Sequence, residues 1–223
     1  RHSFNYGRYN YSVCESSFDT WLDGYAKGIP NRKTSIYTEG ALLALCIDIN
    51  LIAETGGKSN LDSVMKSLFE NYAKKGIGIT KEIFIKEVTI AGASFIADLF
   101  TNYYHKATDY FDILKSTFEK VGLQLKKEKH PNYITSKFGC FVDKKSKVLL
   151  VAPNSPTYLA GINVDDTIIS INGIKKGKEK WGKKQGTKIE VELKKTLGSE
   201  TLSVEANSNS YFDQYRLNKS KSP

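Results

Sequence analysis

Apolar positions in the first 125 residues recur at the three- and four-residue spacing of helices. A nearly continuous apolar run at 38–54 ends at Gly56 and Gly57, and its length favours a buried helix over a strand. Four amphipathic stretches follow after short polar breaks. With such short connections, the five segments predict a compact helical bundle. The predicted helices cover residues 38–54, 60–72, 80–92, 94–103 and 109–122.

From residue 138 onward, short strand-forming runs alternate with turn residues. A strand at 148–151 is followed by a short capped helix, and a second apolar strand with Ile168, Ile169 and Ile171 ends in a tight turn. The turn chemistry predicts each boundary. The residues concerned are Ser155 as helix cap, Pro156 in the first turn, Gly161 at positive φ, and Asn172-Gly173 after the second strand.

This ordered string resembles the bacterial PDZ pattern of strand, Ser-Pro-x-x-x-Ala-Gly and Asp-x-Ile-x-x-Ile-Asn-Gly. The alternative is an ordinary small β-barrel that shares only the turn chemistry. The PDZ resemblance implies that an extended peptide adds as a strand to an open sheet edge, with loop N–H groups taking its terminal carboxylate. The peptide-binding residues it implies are Phe138, Gly139, Cys140, Phe141 and Val142.

A PDZ groove needs a helix as its second wall, and this helix should lie within 174–186. That stretch carries six lysines around Trp181, with glycines at 177 and 182, so it predicts a poor helix. Peptide binding therefore stays open. The lysines are Lys175, Lys176, Lys178, Lys180, Lys183 and Lys184.

Length and composition allow two modest domains with real cores, because the chain has 223 residues and is 40% hydrophobic. The expected fold class is α+β, an all-helical bundle followed by a small PDZ-type β-barrel. The charged segment Lys126-Lys127-Glu128-Lys129-His130-Pro131 predicts the linker. The expected layout is a bundle at 1–125, a linker at 126–136, a PDZ domain at 137–207 and a polar tail at 208–223.

The net charge of +9 lies mostly in residues 131–223. Because the lysine run has one aromatic residue and no arginine, it indicates a solvated face, and we expect no nucleic-acid partner. No apolar run approaches the roughly 20 residues of a membrane span, so we expect none. Cys14, Cys46 and Cys140 indicate scattered thiols rather than a disulfide framework. The compartment stays open.

Four segments of the helical half resemble the C-terminal portion of the glycyl aminopeptidase family of zinc metallopeptidases. They resemble that family's Ser-Phe-Asp-x-Trp, Ser-Tyr-Tyr-x-Lys-Gly-Ala-Leu, Leu-x-x-Asp-Leu and Gly-Gly-x-x-Ser-Leu-Asp-x-Val-Met motifs, the last with one extra residue before Leu61. A PDZ-like segment then follows where the family places one. The matching stretches here are 16–22, 35–42, 45–49 and 56–65.

The resemblance implies one catalytic residue, Tyr37, whose phenol would donate a hydrogen bond to the oxyanion formed at the peptide carbonyl. The alternative is that Tyr37 is one of 13 tyrosines and simply packs near a helix start. The sequence departs from the family motif at two positions near Tyr37. Ile36 replaces the first tyrosine, and Glu39 replaces the lysine.

Zinc hydrolysis in that family needs His-Glu-x-x-His, which places two imidazoles one helical turn apart. The chain has only His2, His105 and His130, none four residues from another. We therefore expect no metal site and no cofactor in this chain, with zinc in an intact parent.

Because the chain begins at Arg1 rather than Met, we expect a zinc-bearing N-terminal part to precede it and to be one of its partners. The second expected partner is a peptide or protein C-terminus at the PDZ groove. The alternative is a complete, non-catalytic adaptor built from a helical bundle and a PDZ domain.

Overall fold

The structure is a computed structural model that describes residues 2–23, 29–175 and 181–219. Helices fill most of the first half of the chain and strands most of the second, which confirms the predicted α+β class. The chain forms two units. One is Arg1–Lys126 together with Tyr215–Pro223, and the other is Lys127–Gln214.

The predicted helices are present in the first unit, and one further helix precedes them. The fourth predicted helix is short, because after four α-helical residues it continues as a π-helical turn, Phe100–Tyr104. Two 3₁₀ turns, His2–Phe4 and Tyr6–Tyr9, open the described chain. The helices are α1 (Val13–Asp23), α2 (Ile36–Glu54), α3 (Leu61–Asn71), α4 (Lys81–Ile90), α5 (Ile96–Leu99) and α6 (Phe111–Glu119).

Side-chain caps fix where three of these helices begin. The side chains of Ser35, Asn60 and Thr80 accept hydrogen bonds from main-chain N–H groups of α2, α3 and α4. At α3 the cap is reciprocal, because the Ser63 side chain accepts from the Asn60 N–H. The local sequence thus decides these boundaries.

The core of the helical unit surrounds α2, which buries Leu43, Cys46, Ile47 and Leu51. Residues from α3 to α6 close over it. On α3 only Val64 and Leu68 are buried, whereas Met65 and Phe69, which helical spacing places on the same side, are exposed. The remaining buried apolar residues of this core are Val13, Val88, Ala93, Ile96, Leu99, Tyr110, Leu114 and Leu125.

The 19-residue helix α2 is long and apolar enough, by length and composition alone, to cross a membrane. This differs from the expectation that no apolar run approaches that length. Its packing gives another reason for its composition, since the central helix of a bundle is apolar on several faces.

Two segments that were expected to lie outside the domains, the linker and the polar tail, both contribute to a pair of strands. The strand β1 (Leu123–Glu128) pairs with the last strand, β8 (Gln214–Lys219), in a two-stranded sheet. The charged residues expected to form a linker are therefore partly strand. The segment expected to be a polar tail carries β8, preceded by buried Tyr211 and Phe212.

The second unit holds two antiparallel sheets, β2–β3 and β5-β4-β6-β7. They meet through a single bridge between Lys147 and Thr167. The described strands therefore do not form the closed barrel that was predicted. The elements are β2 (Cys140–Val142), β3 (Val148–Val151), α7 (Pro156–Leu159), β4 (Thr167–Ile171), β5 (Ile174–Lys175), β6 (Lys188–Lys195) and β7 (Gly198–Glu205).

The predicted turn chemistry of this unit is confirmed. The Ser155 side chain accepts from the Tyr158 N–H at 3.2 Å, and Pro156 is the first residue of α7. Gly161 has φ +80°, and the Asn172-Gly173 turn has φ +50° and +72°. Positive φ at both turn residues is the geometry of a tight hairpin.

The stretch expected to hold the groove-walling helix is only partly described. Lys176, Gly177, Lys178 and Lys180 lie outside the described residues. Next to them, Trp181 is buried in the core and its indole N–H donates to the Ile174 carbonyl at 2.8 Å.

Candidate functional site

Tyr37 lies in the first turn of α2, and 67% of its surface is exposed. The turn is held by Ser35, whose hydroxyl accepts from the Thr38 N–H at 3.3 Å. A tyrosine on a capped helix start can present its hydroxyl to solvent or to a ligand. This position is compatible with the donor role that the resemblance implies.

Glu39, two residues further along α2, points the other way and is 1% exposed. Its carboxylate accepts from His2 Nδ1 at 2.6 and 2.8 Å and from the Thr34 hydroxyl at 3.1 Å. A buried carboxylate needs such partners, because an unpaired charge in the interior is costly. The glutamate that departs from the family motif is thus an anchor of the helix start.

The second ring nitrogen of His2 links this pair to another segment. The Tyr110 N–H donates to His2 Nε2 at 3.0 Å, so Nε2 carries a lone pair and Nδ1 carries the proton donated to Glu39. The imidazole also stacks on the Tyr110 ring, with centroids 4.8 Å apart. Burial raises the pKa of the Tyr110 phenol, and the nearby Glu39 charge adds to the rise.

Asp109 lies beside His2 and collects several donors. It accepts from Arg8 Nη2 at 2.9 Å, from the Tyr9 hydroxyl at 2.8 Å and from the Tyr215 hydroxyl. Burial alone would raise the pKa of Asp109, but its hydrogen bonds and the Arg8 charge hold it far below its usual value. A polar cluster made of Arg8, Glu39, Asp109, His2 and Tyr215 ties the start of α2 to β8.

The described residues contain no group of three His, Cys, Asp or Glu side chains able to hold a metal ion. His2 is committed to Glu39 and Tyr110, and His105 caps the π-helical turn at 100–104. His130 is in the other unit, where its ring meets Phe141 at 5.5 Å. The three histidines are therefore dispersed.

The five residues implied in peptide binding lie together at the start of β2. Phe138 and Cys140 point into the core and are almost fully buried. Gly139 has φ +72°, and its N–H donates to the Thr135 carbonyl at 3.2 Å. That N–H therefore closes the π-helical turn Ile134–Phe138 and is not directed at a ligand carboxylate.

On β2, Cys140 is only 2% exposed, whereas the next two residues, Phe141 and Val142, are partly exposed. The Ala152 N–H donates to the Gly139 carbonyl at 2.9 Å, so the Cys140–Val151 pair between them is of the non-hydrogen-bonded kind. The main-chain N–H and carbonyl of Cys140 consequently point away from β3. Phe141 projects to the opposite face, where its ring meets that of Phe212.

Sequence reasoning missed the polar cluster. Its members are far apart in the chain: His2 and Glu39 are separated by 37 residues, and Arg8 and Asp109 by 101. One signal was present, since an acidic residue stood where the family motif has a lysine. It indicated a changed environment but could not identify the partner.

Comparison with known proteins supports the family resemblance. Residues 1–43, which include Tyr37 and Glu39, match the profile of the M61 glycyl aminopeptidase family, and this confirms the resemblance. No curated protein matches the chain.

One solved structure shares the fold of this chain, and a second is only remotely similar. The crystal structure of an aminopeptidase N family protein from Idiomarina loihiensis matches with a TM-score of 0.80 at 22% identity, over 96% of this chain and 40% of that one. The chain thus spans less than half of that protein. A photosystem II D1 C-terminal processing protease matches 52% of this chain and 38% of its own at 14% identity, with a TM-score of 0.28, which is too remote to support an argument.

Proposed function

We propose that this chain is the C-terminal part of the catalytic region of a zinc-dependent aminopeptidase, in which Tyr37 lines one wall of the active site. The observation that carries the proposal is the exposed Tyr37 side chain at the capped start of α2, within the segment that matches the glycyl aminopeptidases. The resemblance implies removal of small N-terminal residues such as glycine or alanine.

The proposed role of Tyr37 is electrostatic. When a peptide carbonyl becomes tetrahedral, negative charge develops on its oxygen, and a phenol O–H aimed at that oxygen stabilises the transition state more than the ground state. Such a donor must be positioned before reaction. The Ser35 cap and the Glu39–His2 pair supply this by fixing the first turn of α2 on both sides of Tyr37.

The described residues do not provide a zinc site. In this proposal, zinc and its ligands belong to sequence outside this chain, and zinc supplies the activated water. The match that covers only 40% of the Idiomarina protein agrees with a longer parent.

The test compares Tyr37→Phe with wild type in the full-length protein, on a glycyl or alanyl substrate. Loss of one oxyanion hydrogen bond should lower kcat by ~10²–10³ while KM and zinc content change little. The matched control is Tyr158→Phe, which removes the hydroxyl of an exposed tyrosine in the second unit and should leave kcat unchanged. A kcat for Tyr37→Phe within about twofold of wild type would rule out the role.

We also propose that the second unit binds extended peptide by strand addition along β2. This is the one activity that the alternative, a non-catalytic adaptor, would retain. The partial exposure of Phe141 and Val142 on β2 supports strand pairing there, whereas the internal bond of the Gly139 N–H argues against carboxylate capture. We therefore propose recognition of internal segments as readily as of C-termini.

This mode can be tested with a fluorescent Val-Thr-Val-Thr-Val-Thr peptide titrated into the chain. The C-terminal acid and the C-terminal amide should bind with Kd values within about twofold, because no loop N–H is reserved for the carboxylate. A backbone N-methylated peptide should not bind. If the amide bound tenfold more weakly than the acid, capture of the terminal carboxylate would be supported instead. If the N-methylated peptide bound as tightly as the unmodified one, strand addition would be excluded.

A further inference from the structure

An apolar pocket of about 280 Å³ opens between the helices of the first unit. Its floor is α2, and its walls come from α1, α3, α4 and the π-helical turn 100–104. The lining residues that matter most for its chemistry carry no charge. They are Gly40, Ala44, Met65, Phe84, Phe100 and Tyr104.

The sequence explains why space remains here. Gly40 and Ala44 are the smallest residues of α2 on this face, one turn apart, and a Cβ added to Gly40 would meet no atom within 4 Å. Native cores seldom leave voids larger than a water molecule. An apolar cavity of about 150 Å³ is known to stay dry and to admit benzene, so a larger one suits a ring-sized apolar group better than water.

The pocket lies on the same face of α2 as Tyr37. Residues 37, 40, 44 and 47 follow the three- and four-residue spacing that aligns side chains along one helix face. Gly40 and Ala44 line the pocket, and Tyr37 is exposed about one turn before Gly40. The main chain of Tyr37 therefore lies about one helical turn from that of Gly40, which lines the pocket.

We infer that this pocket binds one large apolar side chain of a peptide, of the size of phenylalanine, whose main chain lies near Tyr37. That the occupant is a peptide rests on the proposed function. The apolar lining and the volume select the side chain: a phenyl ring fits and buries apolar area, whereas a methyl group leaves most of the space empty. The pocket thus adds a preference for a bulky residue next to the small N-terminal one.

The chain offers a single-site reporter for this binding. Met65 is the one methionine of the sequence and lines the pocket, so [¹³C-methyl]methionine labelling gives one NMR signal at the site. The probe is N-acetyl-phenylalaninamide and its control is N-acetyl-alaninamide, which differ only in the side chain. We expect saturable shifts of the Met65 methyl, with the phenylalanine probe binding about tenfold to hundredfold more tightly.

Matched variants locate the binding. Ala44→Leu fills the pocket, whereas Ala41→Leu adds the same atoms to an exposed position of the same helix. Ala44→Leu should weaken the phenylalanine probe at least tenfold, with Ala41→Leu within twofold of wild type. Gly40→Leu, one helical turn before Ala44, also fills the pocket. It replaces Ala44→Leu as the test variant if Ala44→Leu fails to fold.

The inference is overturned if the two probes bind alike, or if the pocket-filling variants bind the phenylalanine probe as wild type does. This titration involves no turnover, so its failure is separable from failure of the proposed function. If the phenylalanine probe binds and Tyr37→Phe has unchanged turnover, the catalytic proposal is refuted and the pocket assignment is retained.

Discussion

Gly139 is held in a position that no other residue can take without strain. It has φ +72°, and a Cβ built on it would lie 2.3 Å from the Ser155 Cβ and 3.2 Å from the Ala152 Cβ. Gly139→Ala therefore combines two costs. The left-handed backbone contributes about 1–2 kcal/mol, and overpacking against Ser155 contributes about 1–3 kcal/mol.

Gly161 provides the matched control, because its φ is +80° and a Cβ there would meet nothing within 4 Å. Gly161→Ala should lose only the backbone cost of about 1–2 kcal/mol. The smaller gain from restricting the unfolded chain is common to both alanine variants and cancels in the comparison. The free energies of unfolding should thus differ by about 1–3 kcal/mol.

Urea unfolding followed by the fluorescence of Trp181 measures this difference in the second unit, where that indole is buried. A Trp21→Phe background removes the other tryptophan, which is exposed in the helical unit. With a slope of about 1–3 kcal/mol per molar urea, the two midpoints should be clearly separated. Equal losses within about 0.5 kcal/mol would refute the argument and place Gly139 in an open loop.

Two further predictions concern titratable groups whose pKa values are shifted. Because the pKa of Asp109 is depressed in the folded chain, the free energy that its ionised carboxylate contributes is present above the unfolded pKa of about 4 and is lost as pH falls, so acid titrations of unfolding should show wild type losing up to about 1.4 kcal/mol per pH unit below pH 4. Asp109→Asn should flatten that slope and lower the free energy of unfolding by about 3–5 kcal/mol at pH 7. The control Glu70→Gln, in an exposed ion pair, should change the free energy of unfolding by less than about 1 kcal/mol. Burial raises the pKa of the Cys140 thiol to about 12 and also raises that of Cys46, so iodoacetamide should label Cys14 alone in the native chain and all three thiols in urea, and mass spectrometry showing native labelling of Cys140 would contradict its burial.

The features that could be predicted from the sequence are local ones. Capping residues and apolar spacing were enough to place α2, α3, α4 and α6, and the Ser155 to Gly173 turns follow from residues that are neighbours in the chain. These elements depend on contacts within about one turn. They are decided before any tertiary packing is known.

The features that sequence reasoning missed depend on distant partners. Nothing near Glu39 identifies His2, and nothing near Asp109 identifies Tyr215, which lies 106 residues away. The same holds for β8, whose sequence predicts a polar tail because its pairing partner, β1, is distant in the chain. Gly139 was predicted to lie in a peptide-binding loop, but its hydrogen-bond partner depends on the turn at Ile134–Phe138, which propensity did not indicate.

The pairing of β1 with β8 makes the helical unit a discontinuous domain, with the other unit spliced into it as an insertion. Stop codons placed before Gln214 would therefore not yield a clean single-domain protein. They would strip a strand from the helical unit and remove the Tyr215 hydroxyl that donates to Asp109. Dissection of this chain calls for internal excision that keeps Tyr215 to Lys219, and a protease cut at only one junction would leave the insertion covalently tethered by the other.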